Sequence, residues 1–302
     1  MEIDKTTLAD LVIFDKEDEF SVFNKINFTL TSRGKDQLKK NISAPLPDIE
    51  SIKNVQQTLL YILSKKEKWP TTISNGTIMV VEKFYESSLD PIPAKPNALA
   101  AFTYKLWHSH DFSLIKYSIR HSFDFIKGMK ETVSFFLGND TPALLKKQLD
   151  EAKKILDKEA LGLISTNKSA ADLQPAQMLE LAHFIRYKYK NNILDLLSIF
   201  GKMDAWYGMA LAVEKYKLTM PSFIEDELPQ LEAENLYHLM LEEPVSYNIQ
   251  MNQSKNFLFL TGANMAGKST FIKACGTAVY LAHTRVWECL HKICVSVFLM
   301  GY

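Results

Sequence analysis

The chain has 302 residues, and its 35 Lys plus Arg offset 35 Asp plus Glu, so the formal net charge is zero. That balance excludes a highly basic protein that coats nucleic acid, though not a local basic patch. A hydrophobic content of 47%, with 11% aromatic residues, excludes wholesale disorder. The length predicts about two domains. Three cysteines cannot staple a chain of this size, the start MEIDKTTLAD is polar and acidic, and no apolar run approaches the ~20 residues that cross a bilayer. A soluble, cytoplasmic protein is expected.

From Thr6 to about Tyr216 apolar residues recur mostly at helical spacing. After Pro45 and Pro47, Asp48 is placed to cap a helix whose stripe is Ile49, Ile52, Val55, Leu59, Ile62 and Leu63. Pro70, Pro91, Pro93 and Pro96 mark connections. Thr141-Pro142 predicts a second start, with Thr141 as cap and Pro142 first in the helix. Leu145, Leu149, Ala152, Ile155 and Leu156 then form one stripe, with Lys146, Lys147, Lys153 and Lys154 largely off it. A longer helical stretch runs from Pro175 towards Tyr216, with an interruption expected near Gly201. Within it Arg186, Lys188 and Lys190 alternate with Tyr187 and Tyr189. Residues two apart do not share a helix face, so a solvated helix is favoured over a nucleic-acid contact.

The character changes after Leu218. Pro221, Pro229 and Pro244 punctuate short segments, and Asn256-Phe257-Leu258-Phe259-Leu260 reads as a buried strand. A glycine-bearing turn and a further apolar helix follow. Strand, loop and helix in that order predict the beginning of an α/β domain. The fold class is therefore α plus α/β, with a mostly helical domain over 1–217 and the first part of an α/β domain over 218–302.

Gly262-Ala263-Asn264-Met265-Ala266-Gly267-Lys268-Ser269 fits G-x-x-x-x-G-K-[ST], the phosphate-cradling P-loop or Walker A motif. Glycines let main-chain N–H groups approach phosphate oxygens, and the helix behind points its positive end at the same anion. Lys268 is assigned to the β/γ-phosphates and to catalysis, and the Ser269 hydroxyl to a magnesium ion, so the ligands are ATP and Mg²⁺. By chance the pattern occurs in roughly one chain of this length per hundred.

The run TGANMAGKST, residues 261–270, resembles the phosphate loop of the MutS family of DNA mismatch-repair ATPases. The family's usual form, TGPNMAGKST, differs only at Ala263. Glu243-Pro244-Val245-Ser246-Tyr247-Asn248 is similar to the family segment that cups adenine, with Val245 and Ser246 at the two base-contacting positions. His238 stands where the family has a His-Pro pair. Asn24 to Gly34, Leu38, Pro45-Leu46 and Asp48-Ile49 resemble the opening of the family's core (lever) domain. The resemblance covers about residues 6–283 and implies a helical lever domain joined to part of an ABC-type ATPase domain. Nucleotide contacts fall on Gly262, Ala263, Asn264, Met265, Ala266, Gly267, Lys268, Ser269 and Thr270. DNA is the implied partner, with dimer formation in intact relatives.

Three departures temper the implied activity. The family's mismatch-reading domain has no room in the chain; Phe84-Tyr85-Glu86 mimics its Phe-x-Glu wedge but lies inside the helical region. The helical part is short for a lever plus clamp. Walker B and the signature loop are missing, so hydrolysis by this chain alone is expected to be negligible. A MutS-related ATPase outside mismatch repair and a non-enzymatic helical scaffold stay open as alternatives.

Residues 284–302 form an atypical tail. His283 just before it, with Cys289, His291 and Cys294, matches no familiar zinc spacing. Read one base over, Trp287-Glu288 and Met300-Gly301 must each yield glycine, and the codons between permit G-V-P-A-x-x-M-R-x-S-x-F-D-G. That string follows this helix in MutS-like proteins, so a one-base frameshift near His283 is expected. The apolar end, Val295 to Met300, would then be an exposed sheet edge.

Overall fold

The computed structural model describes residues 4–14, 20–224, 230–284 and 292–296. Among them the helices run in order α1 (Lys5–Asp10), α2 (Val22–Ile26), α3 (Ser32–Ser43), α4 (Ile49–Ser64), α5 (Asn75–Glu86) and α6 (Ala98–Trp107). Then come α7 (Ser109–Phe136), α8 (Ala143–Leu156), α9 (Gly162–Thr166), α10 (Pro175–His183) and α11 (Lys190–Tyr216). Strands β1 (Ser222–Ile224), β2 (Leu231–Leu236) and β3 (Tyr247–Met251) lead to α12 (Lys268–His283) and β4 (Lys292–Ser296). The protein is mostly helical. It divides into two compact units, each discontinuous in sequence: one combines Leu30–Gly34 with Lys65–Asp204, the other Met1–Thr29, Lys35–Ser64 and Ala205–Tyr302.

The first unit is all helix. Its centre is aromatic: Trp69 meets Phe136 edge-on at 5.9 Å and Phe200 at 6.0 Å, and Phe125 meets Phe200 at 6.4 Å. Helix α8 buries Leu145, Leu149, Ala152 and Leu156 while its four lysines face water. It starts one residue later than expected, with Pro142 as cap. The Thr141 hydroxyl is occupied elsewhere, accepting from Gly138 N–H at 2.7 Å and donating to the Phe136 carbonyl at 2.7 Å, which closes the end of α7. No break occurs at Gly201. The helix passes straight through, and a Cβ there would lie 3.3 Å from Arg33 main chain, so the glycine serves close approach. The interruption falls instead at Phe184–Lys188, a π-helical turn between α10 and α11.

Asp204 fixes the N-terminal end of α3 within this unit. Its fully buried carboxylate accepts from Leu30 N–H (3.0 Å), Thr31 N–H (2.9 Å) and the Thr31 hydroxyl (2.6 Å). Burial pushes the carboxyl above the ordinary carboxylate range, against those three hydrogen bonds.

In the second unit α4 begins as expected, the Asp48 carboxylate accepting from Ser51 N–H at 2.6 Å. The four strands form one sheet in the order β1-β4-β2-β3. Ser222 faces Cys294 in a parallel pair, and β2 pairs antiparallel with both β4 and β3. Helix α12 lies against the sheet, Ala274 and Ala278 packing with Ala233, Leu236 and Ile249. Two hydrogen bonds anchor its far end, Tyr280 hydroxyl to the Ile42 carbonyl at 2.6 Å and Leu46 N–H to the His283 carbonyl at 2.7 Å.

Two expectations change here. Residues 256–260 are not a buried strand: they pair with no described strand, and Phe257 and Phe259 are 81% and 78% exposed. Four consecutive apolar residues, Phe257 to Leu260, suit a strand covered on both faces, but hydrophobicity does not supply the neighbouring ladders. Val295 is not at an exposed edge either. Its main chain pairs with Phe223 on one side and Leu231 on the other. Cys289 and His291 lie outside the described residues, as do 297–302.

Candidate functional site

The chain enters α12 through a tight turn. Gly262 has φ 154°, Met265 66° and Gly267 88°. Left-handed backbone at Gly267 suits glycine, whose missing side chain also leaves α12 without a side-chain cap. Met265 adopts the same region at a cost of order 1 kcal/mol, with its side chain fully exposed. Ala266 N–H closes the turn on the Ala263 carbonyl at 3.2 Å.

Lys268, the first residue of α12, folds back on this turn. Its ammonium donates to the carbonyls of Gly262 at 2.7 Å and Ala263 at 2.6 Å. The charge therefore stays with the loop and out of the core. The N–H groups of Lys268, Ser269 and Thr270 take no acceptor among the described residues, and Ser269 is exposed. Unspent amides, a helix's positive end and one ammonium form a fit for a polyanion. Ser269 offers the hydroxyl that a magnesium ion beside such an anion would use. Asn264 completes the outer rim of the turn, exposed to solvent.

Val245 and Ser246 are both exposed, in the segment that runs into β3. The next residue, Tyr247, meets Phe271 of α12 edge-on at 5.3 Å. A Cβ built on Gly267 would lie 3.9 Å from its hydroxyl oxygen. The sequence signal for Tyr247 is an aromatic directly after the expected base-contacting pair. His238 is half-buried and its Nδ1 accepts from Met240 N–H at 3.3 Å, so it holds a turn. Burial, with Lys273 nearby, lowers its pKa.

The remaining candidates resolve into structure. Phe84 is buried and the Tyr85 hydroxyl donates to the Ile185 carbonyl at 3.3 Å, so these two rings are used in packing, while Glu86 is exposed. Arg186 is half-buried. It lies over the Phe84 ring at 5.2 Å and donates to the Phe84 carbonyl and to the Ser87 carbonyl (2.6 Å), capping the C-terminal end of α5. Tyr189 is buried, its hydroxyl donating to the Ile155 carbonyl. Asp90, His108 and Asp111 bring metal-type donors within 4.8 Å of one another. They are closed on themselves, His108 Nδ1 on Asp90 at 2.8 Å and Asp90 N–H on Asp111 at 2.9 Å.

Known proteins named DNA mismatch repair protein MutS match this chain. The one from Staphylococcus aureus strain JH9 is 24% identical over 269 residues, 78% of this chain and 30% of its own length. The chain is a relative of the MutS proteins. Shorter matches are closer: MutS of Thermotoga maritima is 32% identical over 115 residues, and MutS of Pseudothermotoga lettingae 35% over 85. These span 37% and 27% of the chain but only 14% and 10% of those MutS proteins. No protein-family profile matches the chain. No described helix is long and apolar enough to cross a membrane.

Proposed function

We propose that this MutS relative binds ATP with Mg²⁺ at the turn from Gly262 to Thr270. It would use that binding to alter its engagement of DNA, as part of an ABC-type ATPase domain joined to a helical lever. The observation that carries the reading is the start of α12, where three unspent main-chain N–H groups and the Lys268 ammonium converge on one exposed turn. Lys268 exchanges its two carbonyl partners for β/γ-phosphate oxygens. The amides of Lys268, Ser269 and Thr270 line the same phosphate chain, Ser269 would turn its hydroxyl to the metal, and Val245 and Ser246 border the base. Magnesium, held by the Ser269 hydroxyl, would supply charge neutralisation of the phosphates. Neither flanking residue offers an aromatic face, so the base contributes little to affinity.

DNA engagement and pairing of two copies belong to this proposal, carried over from the likeness to MutS. Lys268→Ala in the full chain, titrated with a fluorescent ATP analogue, tests it. Loss of binding, about a hundredfold or more for a charge-assisted phosphate contact, supports the assignment. Unchanged affinity refutes it.

A further inference from the structure

We infer that Tyr247 is a ligand-binding residue of the same site, its hydroxyl donating to the phosphate chain on the Gly267 side. This rests on the ATP reading above and adds a contact that the motif does not contain. Tyr247 opens β3, and its ring is set by the edge-on contact with Phe271, one helical turn into α12. That packing aims the hydroxyl at the turn, 3.9 Å from where a Cβ on Gly267 would stand. A Cβ there would only touch that hydroxyl at ordinary van der Waals distance, so it is φ 88° that selects glycine.

The hydroxyl makes no hydrogen bond among the described residues, although Tyr247 is half-buried. The amides of Lys268, Ser269 and Thr270 beside it are likewise unspent. Donors in this number, with no acceptor of their own, call for an anionic oxygen. A phosphate oxygen satisfies all of them at once. A tyrosine hydroxyl reaches it as a neutral donor and gains a charge-assisted bond without bringing a second cation against Lys268.

Three variants of the full chain separate the possibilities, each titrated with ATP and with inorganic tripolyphosphate. Tyr247→Phe keeps the ring on Phe271 and removes only the oxygen. It should weaken both ligands about tenfold, the size of one charged hydrogen bond, with the melting temperature unchanged. Tyr247→Ala should weaken them at least as much, and Lys268→Ala should abolish both. If Lys268→Ala abolishes binding while Tyr247→Phe leaves it intact, the inference falls and the phosphate loop stands. A loss for ATP with none for tripolyphosphate moves the contact to the nucleoside and overturns the phosphate assignment. If Lys268→Ala binds normally, the underlying reading fails first.

Discussion

One buried polar residue shows how a single side chain holds this protein together. Asp204 accepts three hydrogen bonds from Leu30 and Thr31 while fully buried. Asp204→Ala leaves those donors unsatisfied, and urea unfolding should show a loss of about 2–4 kcal/mol. A value within ~0.5 kcal/mol of wild type would mean that the donors find other partners. Nothing in the sequence around Asp204 points to this role, because its partners are 173 and 174 residues away. Gly267 is the opposite case: the motif fixes it locally, since the backbone of the turn itself demands glycine.

At the scale of elements, α5 ends where Arg186 arrives from the π-helical turn. The guanidinium takes the Phe84 and Ser87 carbonyls that the helix leaves open and covers the Phe84 ring. Arg186→Ala should therefore cost about 2–3 kcal/mol by thermal or denaturant unfolding. Arg186→Lys should recover less than half of that, because an ammonium cannot span both carbonyls in one plane. Full recovery by lysine would show that charge alone suffices. The solvated reading of the alternating basic and aromatic residues holds for the exposed Tyr187, Lys188 and Lys190 and fails for Arg186 and the buried Tyr189. A π turn re-aims consecutive side chains, and helical-wheel reasoning assumes an unbroken helix. The stripes of α4 and α8 were legible for the converse reason: ordinary helices place i, i+3 and i+4 on one face.

The whole molecule should respond to pH through the buried His283 and the half-buried His238. Burial holds His283 below its ordinary value of 6.5, and its Nδ1 lies 2.7 Å from the Val279 carbonyl. His238 is shifted the same way. The folded state thus favours neutral imidazoles, while the unfolded chain takes up protons near the ordinary value. This contribution is complete above about pH 7 and is lost as pH falls through the unfolded pKa towards the lower folded one. Asp204 has the reverse sign, its raised pKa favouring the fold at acid pH and losing that advantage as pH rises from about 4. Between about pH 7.5 and 5.5 the histidines govern, so the urea midpoint should fall. The fall should be shallower in a His238→Gln, His283→Gln double variant. An identical slope in that variant would assign the pH response to other groups.

Local sequence patterns carried the helical character, the Asp48 cap, the stripes of α4 and α8, the phosphate-loop motif and the kinship with MutS. Each of these is written in neighbours a few residues apart, where local geometry suffices. Only the tertiary structure decided the rest: where the chain divides into units, that 256–260 stands unpaired, that Lys292–Ser296 joins the sheet, and that Tyr247 faces the loop. Those outcomes depend on which distant segments supply ladders and packing surfaces. Hydrophobicity records that a residue gains from being covered, and carries no address for what covers it.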